Sequence, residues 1–215
     1  ARNCVENEIP VFPINLGQFG FIASVQPDDW KNELKNFLNN NFTKSYRMML
    51  YAEVLRDEKV VYSSFGLNEV VICATNKASA ISLDVELNDL PLCKLISDGV
   101  ILSTPTGSTA YNAAAGGPII DPEMEAYILT PVNPFSLSTR PIVLNPNGQI
   151  KIKVTPGRNK TTGISVDGQQ SFELQSEDQI VIKKIEKKIT LISSTPEKYY
   201  EALRSKLNWS GVSHA

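Results

Sequence analysis

The segment with the most distinctive chemistry joins a short apolar run to a loop of hydroxyl side chains. Residues 100–103 predict a strand, and the loop after it contains threonines and serines around Gly107 before a helix begins near Ser108. A helix start leaves backbone N–H groups without partners, and with hydroxyls beside them these groups can hold a phosphate or a ribose. The alternative is an ordinary capping loop, in which a serine or threonine oxygen accepts those N–H groups. The pair Gly116-Gly117 favours binding, because glycines allow close backbone approach or a positive φ.

A carboxylate beside an amide precedes a second apolar run. Asn68 and Glu69 stand directly before Val70-Val71-Ile72. Two oriented acceptors and one donor at the start of a buried strand can bind a vicinal diol. The alternative is a polar turn before a strand.

A third candidate is Val166-Asp167-Gly168-Gln169. Asp-Gly between two strands is the strongest short signal for a β-hairpin turn. A plain hairpin turn is the simpler interpretation of this segment.

The composition argues against several classes of protein. The 215 residues carry 21 Lys+Arg and 23 Asp+Glu, for a net charge of −2, which argues against a broadly electrostatic duplex binder. No apolar run reaches the roughly 18 residues that a membrane helix needs. Three scattered cysteines without a Cys-x-x-Cys pair argue against a disulfide scaffold or a zinc ribbon and favour a reducing compartment, so we expect a cytoplasmic protein. The one histidine, His214, leaves little room for a catalytic histidine.

The N-terminal region predicts part of an α/β unit. An apolar run at residues 9–14 is typical of a buried strand of a parallel sheet, and a glycine-punctuated turn follows at 15–21. A helix is predicted from Pro27-Asp28-Asp29, with one apolar face: Trp30, Leu34, Phe37 and Leu38. Because a buried strand comes so close to residue 1, we expect the chain to begin inside a domain.

The middle of the chain changes to a period of two. Its pattern predicts about ten short strands and a β-sandwich or barrel-like arrangement, with the clearest strands at 50–56, 80–87, 150–154 and 180–185. The exception is a short helix predicted over residues 108–115. A last helix is predicted after Thr195-Pro196, with one apolar face: Tyr199, Tyr200, Leu203 and Leu207. The predicted domains are an α/β remnant (1–41), a β-rich domain (42–195), and a C-terminal helix and tail that return to the first domain (196–215).

These motifs together resemble the NAD kinase family over nearly the whole chain and in the family's order. The matching segments are 15–21, Asn68-Glu69, 105–111, Gly116-Gly117-Pro118, 140–143, Asp167-Gly168-Gln169 and 203–209. The Thr-Gly-Ser-Thr-Ala-Tyr sequence within 105–111 is specific to that family. The Asn-Glu pair is shared with related lipid kinases and phosphofructokinases.

The resemblance implies an enzyme that transfers the γ-phosphoryl group of ATP to the 2′-hydroxyl of the adenosine ribose of NAD, giving NADP. It implies a divalent cation, Mg²⁺ or Mn²⁺, and a homodimer or homotetramer without nucleic-acid or membrane partners. The expected fold is mainly β: a β-sandwich-like C-terminal domain with part of an N-terminal α/β domain. The alternatives are a non-catalytic NAD-binding or oligomerisation fragment and a related lipid-type kinase.

The resemblance also implies which residues bind the dinucleotide. Asn68 and Glu69 match positions at the ribose and adenine side of NAD, and Asp98 matches a position that orients the nicotinamide end, from the same or a neighbouring subunit. The residues that match the lining of the dinucleotide cleft are Thr106, Thr109, Ala110, Tyr111, Asn112, Ala113 and Ala114.

Further binding candidates lie elsewhere in the chain. Gln169 matches a position that approaches the cleft, Asn133 is an additional candidate, and Phe21 matches an apolar or aromatic wall at the adenine. Tyr111 has a second interpretation, as a core residue that fills the space between helix and sheet.

Two departures from the family pattern bear on activity. The family's Gly-Gly-Asp-Gly-Thr motif precedes the position that matches Ala1 and is not among the 215 residues. Since its Asp is the expected base, we assign no catalytic or metal-binding residue here and expect these residues alone to bind dinucleotide weakly without kinase activity. Phe135 stands where many members have histidine.

Overall fold

The computed structural model describes residues 1–16, 21–23, 25–75, 80–155, 161–193 and 195–207. These form two compact units, one from Ala1, Asn3–Arg47 and the described part of Lys188–Ala215, the other from Arg2 and Met48–Lys187. The predicted domain bounds stay a prediction. Most of the predicted glycine turn (17–20), the end of the C-terminal motif (208–209) and His214 lie outside the described residues.

The helices and strands of the described residues are as follows. The helices are α1 (Arg2–Val5), α2 (Trp30–Leu38), α3 (Tyr111–Ala114) and α4 (Pro196–Lys206), and a 3-10 helix spans Thr106–Thr109. The strands are β1 (Lys44–Arg47), β2 (Leu50–Arg56), β3 (Lys59–Gly66), β4 (Glu69–Ala74), β5 (Ile81–Leu87), β6 (Leu90–Ser97), β7 (Gly99–Ser103), β8 (Tyr127–Val132), β9 (Ile142–Leu144), β10 (Gln149–Val154), β11 (Thr162–Val166), β12 (Phe172–Leu174), β13 (Gln179–Lys184) and β14 (Ile189–Ile192).

The predicted strand over residues 9–14 is wrong. This segment forms only isolated parallel bridges, in which Val11 pairs with Leu191 and Ile14 pairs with Val25. Two prolines in the segment have no N–H to donate, so a continuous ladder cannot form there.

The helices predicted after residues 27–29 and after Thr195-Pro196 are confirmed as α2 and α4. Both belong to the first unit, which contains the two ends of the chain and is called the terminal unit below. α4 starts at Pro196, after Thr195 accepts the backbone N–H of Lys198 on its hydroxyl at 3.3 Å. Lys198 also pairs with Glu33 of α2 at 3.1 Å. The predicted apolar face of α2 is only partly covered, because Trp30 and Leu38 stay exposed.

The unit Met48–Lys187 is an antiparallel β-sandwich. One six-stranded sheet has the order β3-β2-β13-β10-β5-β6, and the other has the order β12-β11-β4-β7-β8-β9. The four clearest predicted strands correspond to β2, β5, β10 and β13. The expected mainly β fold with a sandwich-like domain is therefore confirmed.

The core of the sandwich lies between the two sheets. β2 and β5 alternate buried and partly buried positions, as a strand with one covered face does. Leu83 and Ile152 of one sheet belong to the same buried cluster as Val70 and Leu102 of the other. β7 is buried at every position because the 3-10 helix and α3 also pack against it.

Tyr127 of β8 connects the two sheets through its hydroxyl group. The hydroxyl donates to the carbonyl of Gly148 at 2.8 Å and accepts the backbone N–H of Lys184 at 2.6 Å. Gly148 directly precedes β10 and Lys184 ends β13, and both strands belong to the sheet opposite β8. Burial of this side chain raises the pKa of Tyr127 to about 12.

We expect Tyr127→Phe to lower the free energy of unfolding by about 1–3 kcal/mol, because it removes two hydrogen bonds to partly buried backbone groups, each contributing about 0.5–1.5 kcal/mol. The matched control is Tyr62→Phe, whose ring stacks on Phe172 in the same sandwich. The control should change the free energy by less than about 0.5 kcal/mol. Equal losses for both variants in urea titrations would contradict the role assigned to the Tyr127 hydroxyl.

Candidate functional site

The three motifs singled out in the sequence meet at one edge of the second sheet. β4 starts at Glu69 and β7 ends at Ser103, and these two residues are paired in register. β11 ends at Val166, which pairs with Val70 of β4, so the turn after β11 lies at the same edge. Neighbouring antiparallel strands bring the start of one beside the end of the next. The sandwich therefore assembles the candidate site from three separate loops.

The Asp167 carboxylate holds the loop before β4. Its Oδ2 accepts the backbone N–H of Leu67 at 2.7 Å, and its Oδ1 accepts those of Asn68 at 2.8 Å and Glu69 at 3.1 Å. Asp167 and Gly168 have φ angles of 50° and 65°. Two successive positive φ angles are typical of a type I′ hairpin turn. The predicted turn is confirmed, and its aspartate also fixes a neighbouring loop.

The segment after β7 is fixed against the same loop. The Thr104 hydroxyl donates to the carbonyl of Leu67 at 2.6 Å and accepts the N–H of Gly107 at 3.1 Å, as the capping interpretation expects. A Cβ atom at Gly107 would lie 2.1 Å from the carbonyl oxygen of Asn68. Only glycine allows this approach, because the obstacle is backbone.

A buried hydrogen-bond network supports that segment. The Ser108 hydroxyl accepts the N–H of Ile120 at 3.0 Å. The Asn112 side chain donates to the carbonyls of Ser108 and Pro118 at 3.1 and 3.0 Å, and its oxygen accepts the Thr130 hydroxyl at 2.7 Å. Asn112 is fully buried and its amide is occupied by these bonds, so in this structure it supports the loop from within.

Glu69 is a buried carboxyl group close to a second carboxylate. Only 6% of the surface of Glu69 is exposed to solvent. Burial, followed by the charge of Asp167, raises the pKa of Glu69 to about 7, against a hydrogen bond from the backbone N–H of Tyr111 that lowers it. A carboxyl group with this pKa changes charge near neutral pH.

Three buried side-chain atoms at this edge have no hydrogen-bond partner among the described residues. They are Asn68 Oδ1, Glu69 Oε2 and Thr106 Oγ1. Buried polar atoms are nearly always bonded, so unbonded ones need an explanation. Since a carboxylate and an amide oxygen only accept, and a hydroxyl can accept or donate, the set matches a ligand that offers hydroxyl donors.

The helical part of the site differs from the prediction. In place of one helix over 108–115, the 3-10 helix and the single-turn α3 are separated at Ala110, whose ψ of −130° is not helical. The first N–H of α3 bonds Glu69, so it serves that carboxyl group in place of a phosphate. Tyr111 is 45% exposed, so the interpretation as a core residue is wrong.

The remaining cleft candidates lie on the same segment. Thr109, Ala110 and Ala113 are partly buried, and Ala114 is exposed. Gln169 is exposed and follows Asp167 by two residues on the hairpin turn. These positions all belong to the loops around the unpartnered atoms.

Asp98 and Asn133 lie away from those atoms. Asp98 precedes β7, whereas Ser103 ends it, and five residues of strand span roughly 15 Å. Both side chains are exposed, and the Asn133 amide donates to Asp98 Oδ2 at 3.0 Å. Within one chain, the structure does not bring this pair to the Asn68–Glu69 loop.

Phe21 belongs to the terminal unit. Its ring centroid lies 6.3 Å from that of Tyr199, and the Lys206 ammonium lies 5.9 Å from the Phe21 centroid. These contacts place Phe21 against α4.

Neither a metal cluster nor a membrane-spanning helix is found among the described residues. No group of three or more His, Cys, Asp or Glu side chains in those ranges could hold a metal ion. None of the helices in the part of the chain that the structure describes is long and apolar enough to cross a membrane.

Comparison with known proteins identifies the family. Residues 67–194 match the family model of the ATP-NAD kinase C-terminal domain. An NAD kinase of Treponema denticola is 47% identical over 213 residues, which cover 99% of this chain and 75% of the relative. An NAD kinase of Treponema pallidum is 41% identical over 211 residues, which cover 98% of this chain and 69% of the relative. The chain belongs to the NAD kinase family.

Solved structures of other NAD kinase family members share the fold. Yeast NADH kinase complexed with NADH superposes with a TM-score of 0.86 at 27% identity, over 94% of this chain and 60% of that chain. An NAD kinase from Archaeoglobus fulgidus in complex with ATP has a TM-score of 0.76 at 23% identity, over 91% of this chain and 74% of that chain. The second likeness supports the fold alone.

Sequence reasoning does not identify the roles of two residues in the loops around Asn68 and Glu69, namely Asp167 and Thr104. Asp-Gly is so typical of hairpins that the sequence predicts only a turn at Asp167, and Thr104 is one of several hydroxyl residues in its loop. Both act through side-chain bonds to the backbone of Leu67–Glu69. The available signal was that each residue directly follows a predicted strand, where an acceptor side chain can reach a neighbouring loop.

We expect Gly107→Ala to lower the free energy of unfolding by about 1–3 kcal/mol, because the new methyl group must displace the backbone of Asn68. Gly148→Ala is the matched control, since the atoms nearest to a Cβ there belong to the side chain of Asn88, 2.2 Å away. That side chain can turn aside at the cost of its bond from the N–H of Gln149, whereas backbone cannot. Chemical denaturation of both variants measures the difference. A loss at Gly107 no greater than the loss at Gly148 would contradict the close backbone contact.

Proposed function

We propose that this chain is the dinucleotide-binding part of an NAD kinase. The reaction transfers the γ-phosphoryl group of ATP to the 2′-hydroxyl of the adenosine ribose of NAD: a new P–O bond forms at that oxygen, the bond to the β,γ-bridging oxygen breaks, the hydroxyl proton is released, and ADP leaves. The observation that carries the proposal is the set of unpartnered acceptors Asn68 Oδ1, Glu69 Oε2 and Thr106 Oγ1.

The chemistry of these atoms supports a ribose as the ligand. A ribose offers adjacent hydroxyl groups, which donate to the Glu69 carboxylate and the Asn68 amide oxygen. A hydrogen bond to a charged acceptor contributes about 1.5–3 kcal/mol, against about 0.5–1.5 for a neutral one. The fold match to yeast NADH kinase complexed with NADH supports a dinucleotide as the molecule that carries this ribose.

We propose that the remaining site residues line the path of the dinucleotide and its two ends. The exposed ring of Tyr111, with Thr109, Ala110, Ala113 and Ala114 on the same segment, would line the path of the dinucleotide. Gln169 would contribute from the hairpin turn. Phe21, Asp98 and Asn133 remain candidates for the adenine and nicotinamide ends, as the family resemblance implies.

The cation, the assembly and the location are also proposals. The donor groups of the described residues do not fit a resident metal, so we propose that Mg²⁺ or Mn²⁺ enters with the phosphates of ATP. A homodimer or homotetramer would allow Asp98 and Asn133 to serve a neighbouring subunit's site. Free cysteines at positions 4, 73 and 93 agree with a cytoplasmic location.

The reaction is tested by measuring NADP formation from NAD and ATP. The test protein carries these 215 residues behind the family's Gly-Gly-Asp-Gly-Thr segment, and a second protein carries Glu69→Ala. We expect activity that the substitution abolishes. Dinucleotide binding with no activity in the first protein would instead support the non-catalytic alternative.

We expect Glu69→Gln to weaken NAD binding at pH 8 about tenfold, because a neutral acceptor replaces a charged one. The same variant should be more stable than the parent at pH 8. The pKa of Glu69 in the folded chain is raised from 4.5 to about 7, so the parent's stability falls as pH rises between those values, and glutamine removes this loss.

The two readouts are calorimetric NAD affinity and urea denaturation, each at pH 5.5 and pH 8. At pH 5.5 Glu69 is protonated in the folded chain, so the two affinities should differ little. The stability difference should be smaller than at pH 8 but still present, because pH 5.5 lies between 4.5 and about 7. Asn133→Ala, at an exposed residue away from the loop, is the comparison and should cost less affinity than Glu69→Ala. Equal, small losses for both alanine variants would indicate that Asn68-Glu69 is only a polar turn.

For Tyr111, we expect alanine to raise the Kd for NAD severalfold while the Tm changes little, because the ring is exposed and can pack on the dinucleotide. Tyr111→Phe retains the ring and separates its contribution from that of the hydroxyl. A large drop in Tm with an unchanged Kd would remove Tyr111 from the site.

A further inference from the structure

We propose that Asp167 is a positioning residue: its carboxylate holds three consecutive backbone N–H groups and thereby aims the Asn68 and Glu69 side chains at the bound ribose. The inference deepens the proposed function and rests on it. Asp167 itself is assigned no contact with the dinucleotide.

The geometry of the loop carries this inference. In an extended strand, successive N–H groups point in opposite directions, so the N–H groups of Leu67, Asn68 and Glu69 converge on one group only where the chain is bent. Such a concave set of N–H groups is a site for an anion. Here the anion is the Asp167 carboxylate, at 2.7, 2.8 and 3.1 Å. The directions of the Asn68 and Glu69 side chains follow from this backbone conformation.

The Asp167 carboxylate is itself held in place. The backbone N–H of Asp167 donates to the carbonyl of Glu69 at 3.0 Å, which closes the contact from the other side. The guanidinium group of Arg2 donates to the carbonyl of Val166 at 3.3 Å, directly before the turn. The acceptor is therefore fixed before any ligand binds.

Asp167 also has an electrostatic effect on Glu69. β7, β11 and residues 104–114 carry no charged side chain, and Tyr111 is their one titratable group. The charged residues on the segments hydrogen-bonded to these elements include Asp167, Arg2 and Asp121, which follows Ile120. The Asp167 charge is, after burial, the second cause that raises the pKa of Glu69. The pKa of Glu69 is therefore a measurable quantity that depends on Asp167 and that an uncharged turn residue would not affect.

The test compares Asp167→Asn and Asp167→Gly with Asp57→Asn. Both replacements at 167 tolerate its positive φ, and glycine retains the turn if asparagine disturbs it. Asp57 is the matched control, because it has a φ of 49° in the turn between β2 and β3, away from the site. For each protein we measure amide hydrogen exchange at residues 67–69, the ¹³C-detected titration of Glu69, and calorimetric NAD affinity from pH 5.5 to 8.5.

We expect both Asp167 variants to exchange the three amides at least about tenfold faster and to bind NAD at least about tenfold more weakly at pH 8. The titration midpoint of Glu69, and with it the pH at which NAD affinity rises, should move to lower pH. Asp57→Asn should change none of these quantities.

Unchanged amide exchange and an unchanged Glu69 midpoint in both Asp167 variants would overturn the positioning role, whatever happens to NAD affinity. Failure of the proposed function has a different signature. If the parent chain binds no NAD at any pH while the amides and the Glu69 midpoint respond as expected, the positioning of Asn68 and Glu69 stands and the ligand assignment falls.

Discussion

Three backbone N–H groups in succession need one acceptor, and the Asp167 carboxylate supplies it. The bent conformation of Leu67–Glu69 depends on these bonds, and so does the convergence of the side chains around it. The close approach of Gly107 to Asn68 is possible only while that loop keeps its course. The rest of the sandwich brings the ends of β11, β4 and β7 to the same edge so that the contact can form.

The site departs from the rules that govern the rest of the sandwich. The core is apolar and the Tyr127 hydroxyl is bonded on both sides, whereas Glu69 Oε2, Asn68 Oδ1 and Thr106 Oγ1 are buried and have no hydrogen-bond partner within the part of the chain that the structure describes. Each such atom costs folding free energy, about 1–3 kcal/mol when fully desolvated. Proteins accept such costs at functional sites and offset them elsewhere in the fold. In an NAD kinase, this loss of folding free energy would leave a set of acceptors already oriented for a ribose.

Much of this could be predicted from residue types, and the failures have physical causes. The period of two predicted β2, β5, β10 and β13, because a strand with one covered face must alternate. The strand predicted over residues 9–14 is wrong because an apolar run indicates burial but not backbone hydrogen bonding, and two prolines remove N–H donors. The break at Ala110 and the bond between Asp167 and a loop about 100 residues earlier depend on tertiary contacts, which local sequence does not contain. Asn68 and Glu69 could be singled out because a carboxylate beside an amide precedes an apolar run, whereas Thr106 came from the family resemblance alone.

The most direct test of the central claim is a crystal structure of the chain with NAD bound. The account predicts hydroxyl oxygens of the adenosine ribose within about 2.5–3.2 Å of Glu69 Oε2 and Asn68 Oδ1, with the three Asp167 bonds unchanged. Dinucleotide bound elsewhere on the chain, with those two oxygens still lacking a partner, would contradict it.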